Sequence, residues 1–442
     1  MSAAPKSSEL YQLWKLALPL ALAQAGQAFM GLVDTAVLGR LSAAAQAGAG
    51  LGNSLTFTCS FFGMGVMMAL DPLVSQAVGA GDLTRARAHY WQGVWLALLT
   101  SVVVMVPVAL IPFLLEPFGV APTVAEGARE YMWWRLPGIA AVMLFVTARS
   151  YLTGVGKVAI TFWAMVVANV ANLGLDVALV FGFGPIPALG VMGAAIATVL
   201  CTWLQFGVLL FGFGKTPEGT QRRFDSVEVL RAARLGAPIG LHFIAESGVF
   251  SLAGLLSGRL GETAAAAHQV ALNWASITFC VASGIGAAAG TRVGWAIGRD
   301  DTPAARRAGL TAFGSVVVFM ALASLVFLVF PHTMAGAMSA DPGVVKMVIA
   351  LFVVVAVFQI SDGVQAVGAG ALRGTGDTTF TFWANMVGHW CIGLPVAYLL
   401  GVRGSYGVVG LWWGLSAGLT AVAIALVIRF NRTTRGAIAR LS

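Results

Sequence analysis

The chain has 442 residues, of which 58% are hydrophobic and only 10% charged. A soluble domain carries roughly 25% charged residues, so this chain cannot clothe itself in polar surface, and an aqueous globular protein is excluded. The formal charge of +8 is spread over alternate loops, with no single Lys/Arg cluster of the kind nucleic acid requires.

In chain order, the polar first 15 residues carry no cleavage signal, and the apolar run from Leu16 is too long for a signal peptide, so it is expected to remain as the first span. Twelve stretches are long enough for a membrane helix of about 20 residues: 12–38, 46–78, 91–115, 131–152, 160–182, 190–213, 235–257, 264–290, 308–331, 346–370, 378–401 and 407–428. The predicted fold is an all-α integral membrane protein with 12 transmembrane helices in two pseudo-symmetric six-helix bundles. The bundles are 1–213 and 235–442, joined by a basic cytoplasmic linker at 214–234. With six spans each, both halves enter the membrane in the same sense. About 20 of the 26 Lys and Arg residues, Lys6 first among them, fall on the side of the termini and the even-numbered loops. That bias predicts cytoplasmic termini.

The halves repeat. Leu38-Gly39-Arg40-Leu41 returns as Ser257-Gly258-Arg259-Leu260, Pro19 as Pro238, and Thr161-Phe162-Trp163 as Thr381-Phe382-Trp383, an offset of about 220 residues. The acids inside the spans do not repeat: Asp34 aligns with Ala253, Asp176 with Val396, Glu246 with Gln27 and Asp362 with Val142. A shared scaffold with unshared charges is expected of a transporter whose halves have different tasks.

Taken along the chain, Pro19 interrupts the backbone ladder of the first span and is a candidate hinge. Asp34 lies late in that span. Asn169, Asn172 and Asp176 fall at i, i+3 and i+7 on one face of the fifth, and Thr198 adds a hydroxyl from the sixth. Carboxylates, amides and a hydroxyl are hard oxygen ligands suited to a small cation. The same oxygens serve a proton, because two carboxylates in a dry site cannot both hold a charge easily. In the second half, Glu246 and Asp362 lie near the middle of the seventh and tenth spans, with His242 one turn before Glu246. Gln269 and Asn273, four apart on the eighth span, are candidate ligand contacts, as are Asn169 and His242. A carboxylate at mid-membrane costs ~2.5–3.5 kcal/mol, so four of them call for a partner, a proton or a cavity. Asp71 before Pro72 suits the cap of a broken helix. Cys59, Cys201, Cys280 and Cys391 have no metal-ligand spacing and read as small buried hydrophobes. No Walker loop, HExxH or nucleophile elbow is present. The chain reads as no enzyme, with no cofactor, a coupling ion that is either Na⁺ or H⁺, and no other metal.

Several segments resemble family motifs: Leu18-Pro19 with Asp34-Thr35 and Gly39, Pro72-Leu73-Val74-Ser75-Gln76-Ala77-Val78-Gly79-Ala80, Pro238 with Glu246, Ala266-Ala267-His268-Gln269, Phe358-Gln359-Ile360-Ser361-Asp362, and Leu372-Arg373-Gly374-Thr375-Gly376-Asp377. Their order and spacing from about residue 10 to 430 resemble the MATE (multidrug and toxic compound extrusion) transporters, NorM type. The resemblance implies a bacterial inner-membrane antiporter with two lobes around a cavity. Such a protein exchanges Na⁺ or H⁺ inward for amphipathic, often cationic, drugs outward, and a monomer is expected. It implies that Asp34, Asn172, Asp176 and Thr198 form the cation site of the N-terminal lobe, and that Glu246 and Asp362 are the acids of the other. The rival within the superfamily is a lipid-linked precursor flippase, which usually has 14 spans and a more cationic cavity.

Overall fold

In hydrocarbon each backbone N–H and C=O must find its partner within its own segment, so apolar spans fold as helices. The computed structural model describes residues 8–185 and 187–441; Lys6 lies outside them. Among the described residues there are 12 helices long and apolar enough to cross a membrane, and no β-strand. They are α1 (Glu9–Gly39), α2 (Ala43–Gly79), α3 (Leu83–Leu115), α4 (Pro122–Gly154), α5 (Ala159–Val180), α6 (Gly190–Leu210), α7 (Ser226–Arg259), α8 (Glu262–Gly298), α9 (Thr302–Val329), α10 (Pro342–Thr375), α11 (Thr378–Arg403) and α12 (Gly407–Thr433).

Most helices outrun their apolar stretches because polar end turns are helical too. Ser42, Asp82 and Asp301 accept the backbone N–H of Ala45, Arg85 and Ala304 at 3.0, 2.8 and 2.8 Å, and Asp341 accepts those of Gly343 and Val344. These side chains satisfy donors that a helix start leaves open. The fourth and seventh helices gain most. The fourth starts at Pro122, so Arg135 is the fourteenth residue of its helix.

The α-helix of α2 stops at Met67 and restarts at Leu70, with Asp71 and Pro72 in the first turn of the second piece. Pro19, Pro137 and Pro238 lie within uninterrupted α-helices. Among the described residues π-helical turns occur in α11: Met386–Gly393 and Tyr398–Arg403 are π-helical on either side of a short α turn containing Pro395. The four cysteines are free thiols; Cys201 is buried, but Cys59 and Cys280 are partly exposed and Cys391 is exposed, against the expectation that all four are buried. An apolar side chain facing lipid loses nothing by exposure.

The chain forms two compact units, one of Ala23–Ile244 and one of Met1–Leu22 with Ala245–Ser442. In the first unit α2 packs on α4, α4 on α6, α5 on α6 and α3 on α4. In the second unit the corresponding pairs six helices later pack together: α8 on α10, α10 on α12, α11 on α12 and α9 on α10. The sequence repeat is therefore a repeat of packing. Ahead of α7, the linker lies along α3. Gln92 donates to the carbonyl of Arg223 at 2.8 Å and accepts from the N–H of Asp225 at 3.0 Å, and Trp95 donates to the carbonyl of Arg222 at 3.0 Å.

Candidate functional site

In the Ala23–Ile244 unit, three helices bring oxygen ligands to one place. The face of α5 that packs on α6 carries Asn172 and Asp176, both fully buried. α1 contributes Asp34, 8% exposed, and α6 contributes Thr198, 7% exposed. Thr198 Oγ1 donates to Asp34 Oδ2 at 3.1 Å and also lies 2.9 Å from the carbonyl of Ala194. Asp176 faces Asp34 and Asn172 at close range. Yet both Asp176 oxygens, Asp34 Oδ1 and both polar atoms of the Asn172 amide have no aligned hydrogen-bond partner among the described residues. Buried polar groups are nearly always bonded, and two carboxylates turned toward each other repel. Five such atoms in one dry pocket fit a small cation or a shared proton, either of which satisfies both carboxylates at once. Asn169 is engaged through its amide hydrogens only: they go to the carbonyls of Gly26 and Met165, at 3.1 and 2.9 Å, which ties α5 to α1, while its Oδ1 is buried with no partner among the described residues.

Residues not singled out from sequence complete this pocket. The Tyr131 ring of α4 is 1% exposed. Its hydroxyl faces Thr198 and lies 3.3 Å from Asn53 Oδ1 of α2. Tyr131 stands at the edge of an apolar stretch, where a tyrosine reads as an interfacial anchor, so hydropathy hides it. Asn53, a polar residue between apolar turns, carries the one legible signal.

In the other unit the acids are held by amides. Gln365 Nε2 donates to Glu246 Oε1 at 2.9 Å and to Asn385 Oδ1 at 2.8 Å, while Asn385 Nδ2 donates to the carbonyl of Thr381 at 3.1 Å. That chain orients both amides, because Asn385 spends a donor on the backbone and must offer its oxygen to Gln365. Both hydrogens of the Gln365 amide are then committed, one of them to a carboxylate. Asp362 is 6% exposed and close enough to Glu246 for their charges to interact. Gln365 was legible in principle: it follows Asp362 by three residues, on the same helical face.

The remaining candidates are placed individually. His242 is buried, its ring edge-on to Phe243. Gln269 donates to Asn273 Oδ1 at 3.1 Å in an exposed pair on α8. Trp163 and Trp383 are each 58% exposed, and Trp274 donates to the carbonyl of Met334.

Comparison with known proteins follows the same repeat. The MatE family model matches twice, at residues 19–178 and 238–399. A probable multidrug resistance protein NorM from Bradyrhizobium diazoefficiens is 36% identical over 440 residues, covering 97% of this chain and 94% of that one. A multidrug resistance protein NorM from Burkholderia vietnamiensis is 36% identical over 438 residues, covering 96% and 94%. Among solved structures, the eukaryotic MATE transporter AtDTX14 superposes with a TM-score of 0.86 at 22% identity, covering 97% of each chain. An outward-facing multidrug resistance MATE transporter gives 0.88 at 19%, also with 97% of each. At these identities the two structures establish the fold.

Proposed function

Since the chain belongs to the MatE family, a family of membrane transporters and not of enzymes, we propose that it is a multidrug efflux antiporter. It exchanges Na⁺ or H⁺ inward for amphipathic, often cationic, drugs outward. The observation that carries this reading is the Asp34–Asp176 pair, buried at the meeting of α1, α5 and α6 with its oxygens unsatisfied. Such a pair is stable only with a positive charge or proton between its members, so its occupancy reports on the ion gradient. The named relatives supply the drug side of the exchange.

The mechanism we infer is alternating access between two bundles, 1–213 and 235–442, each entering the bacterial inner membrane in the same sense, in a monomer with cytoplasmic termini. A cation entering from outside neutralises Asp34 and Asp176 with help from Asn172 and Thr198. α1 then bends near Pro19, and the drug site loses affinity as the cavity closes. Glu246 and Asp362, with Gln365 on Glu246, form the second ionisable set. Voltage moving one charge through 100 mV supplies ~2.3 kcal/mol. That sustains a ~50-fold gradient of a neutral substrate, at 1.36 kcal/mol per tenfold. Twelve spans and acid-lined interiors count against a lipid-linked precursor flippase.

The test is ethidium efflux from proteoliposomes holding the full-length protein, with Na⁺ and pH gradients imposed separately. One gradient drives efflux by the wild type. Asp34→Asn inserts and binds ethidium equally well but responds to neither gradient. Wild-type efflux by Asp34→Asn would overturn the reading.

A further inference from the structure

Two helices change compact unit part-way along their length, α1 between Leu22 and Ala23 and α7 between Ile244 and Ala245. α1 therefore starts in the unit of α8 and ends, with Asp34, in the other. Its first part is held against α8 by packing and by charge. Leu13, Leu16, Ala17, Leu20 and Ala21 are buried at helical spacing. A Cβ on Gly284 of α8 would lie 2.7 Å from both the carbonyl oxygen of Ala17 and the N of Ala21, so the two backbones touch. Eight residues further along α8 is Arg292, and eight residues back from Ala17 is Glu9. There the buried guanidinium grips the start of α1. Its Nη1 donates to the carbonyl of Glu9 at 2.9 Å, its Nη2 donates to Gln12 Oε1 at 3.0 Å, and it forms an ion pair with the Glu9 carboxylate. The glycine contact has a counterpart in the other unit, where a Cβ on Gly65 of α2 would lie 2.5 Å from the Cα of Gly240 of α7. Arg292 has none, since the repeat places Leu73 at its position. The scaffold thus requires the close approach of the helices and not the charge.

We propose that Arg292 is a latch on α1: it holds the start of that helix against α8, and it lets go once in each transport cycle. This rests on the reading of the chain as an alternating-access transporter. Pro19 lies ten residues beyond Glu9, so a bend there swings the segment that carries Glu9 and Gln12. That swing cannot happen while both are bonded to Arg292. Backbones in direct contact do not part by small degrees, because packed interfaces have discrete arrangements. A charged clamp across such a contact therefore sets how often α1 leaves α8. Arg292 acts through α1 and is a positioning residue.

The experiment uses the full chain in proteoliposomes and follows a thiol at position 13. Leu13→Cys puts it on the held face, where the native side chain is 1% exposed. Modification by N-ethylmaleimide is read by mass spectrometry on the tryptic peptide between Lys6 and Lys15, which contains no native cysteine. The labelling rate follows the fraction of time that the segment is open. It should be slow at rest and several times faster during gradient-driven ethidium efflux. Adding Arg292→Gln or Glu9→Gln should raise the resting rate about tenfold, the weight of a hydrogen bond to a charged group. A thiol at Val348 of α10, a fully buried position, should stay slow throughout, which shows that the unit remains folded. Unchanged resting rates in both neutral variants would overturn the inference. So would a position 13 that labels no faster during efflux, or a Val348→Cys thiol that labels as fast as position 13, which would make Arg292 a general prop of the fold. The two failures are separable. If neither gradient drives efflux, the transporter reading falls, and the resting rates still decide whether Arg292 holds α1. If efflux runs while position 13 keeps its resting rate, only the latch falls.

Discussion

Thr198 has one hydroxyl hydrogen and two acceptors in reach, Asp34 Oδ2 at 3.1 Å and the carbonyl of Ala194 at 2.9 Å. With Asp34 ionised, the hydrogen belongs on the carboxylate. With Na⁺ in the pocket, it turns to Ala194 and frees a lone pair for the ion. Thr198→Ala therefore has opposite consequences for the two candidate ions. A hydrogen bond to a charged group is worth ~1.5–3 kcal/mol, tenfold or more in affinity. If Na⁺ drives efflux, the half-maximal Na⁺ concentration should rise about tenfold, because a ligand is lost. If H⁺ drives it, the midpoint should move alkaline, because Asp34 loses a donor that competes with the proton. Efflux titrated in each gradient separates the cases. Four acids, two asparagines and this threonine were legible because polar residues in apolar runs stand out at helical spacing. Tyr131 was not, because hydropathy cannot tell an interfacial tyrosine from one buried against neighbouring helices.

At the scale of the helix, small residues set how closely the spans approach. On α10, a Cβ at Gly370 would lie 2.1 Å from the carbonyl oxygen of Gly286 on α8. Backbone cannot yield there as a side-chain tip can, so Gly370→Ala must separate the two helices. Overpacking of this kind costs ~1–3 kcal/mol, and thermal unfolding in detergent should show a clearly lower midpoint. Gly314 on α9 has open space around it, and Gly314→Ala serves as the silent control. The linker offers a second measurement. Gln92 holds the backbone of Arg223 and Asp225 through both ends of its amide. Gln92→Leu removes both bonds, and trypsin should then cut after the exposed Arg222 and Arg223 several times faster than in the wild type, with the helices still resistant. The winding of α11 had no sequence signal beyond Pro395, because a π-helical stretch depends on the neighbour it fits. A Cβ at Gly418 of α12 would lie 2.5 Å from the carbonyl oxygen of Gly388 and 2.8 Å from the Cα of Gly393, so this glycine lets α11 and α12 touch backbone to backbone.

At the scale of the whole chain, the proposed topology has an even number of spans, which puts both termini on one side, and the bias of Lys and Arg predicts that this side is the cytoplasm. A green fluorescent protein fused after Ser442 should therefore fluoresce in cells, whereas alkaline phosphatase at the same point should be inactive; the reverse pair of results would invert the topology. What the sequence by itself determined is the class, the number of spans, the internal repeat and the identity of the acids. All of these follow from local terms: the transfer cost of each residue into lipid, and the period of the helix. Only the tertiary structure decided which of those acids meet. Asp34 and Thr198 are 164 positions apart, and Gln365 and Glu246 119; nothing in a single chain's pattern encodes such pairings, because they depend on which helix faces pack. The same packing tied the amide hydrogens of Asn169 to two backbone carbonyls and left its oxygen without a partner among the described residues, which no sequence pattern foretells.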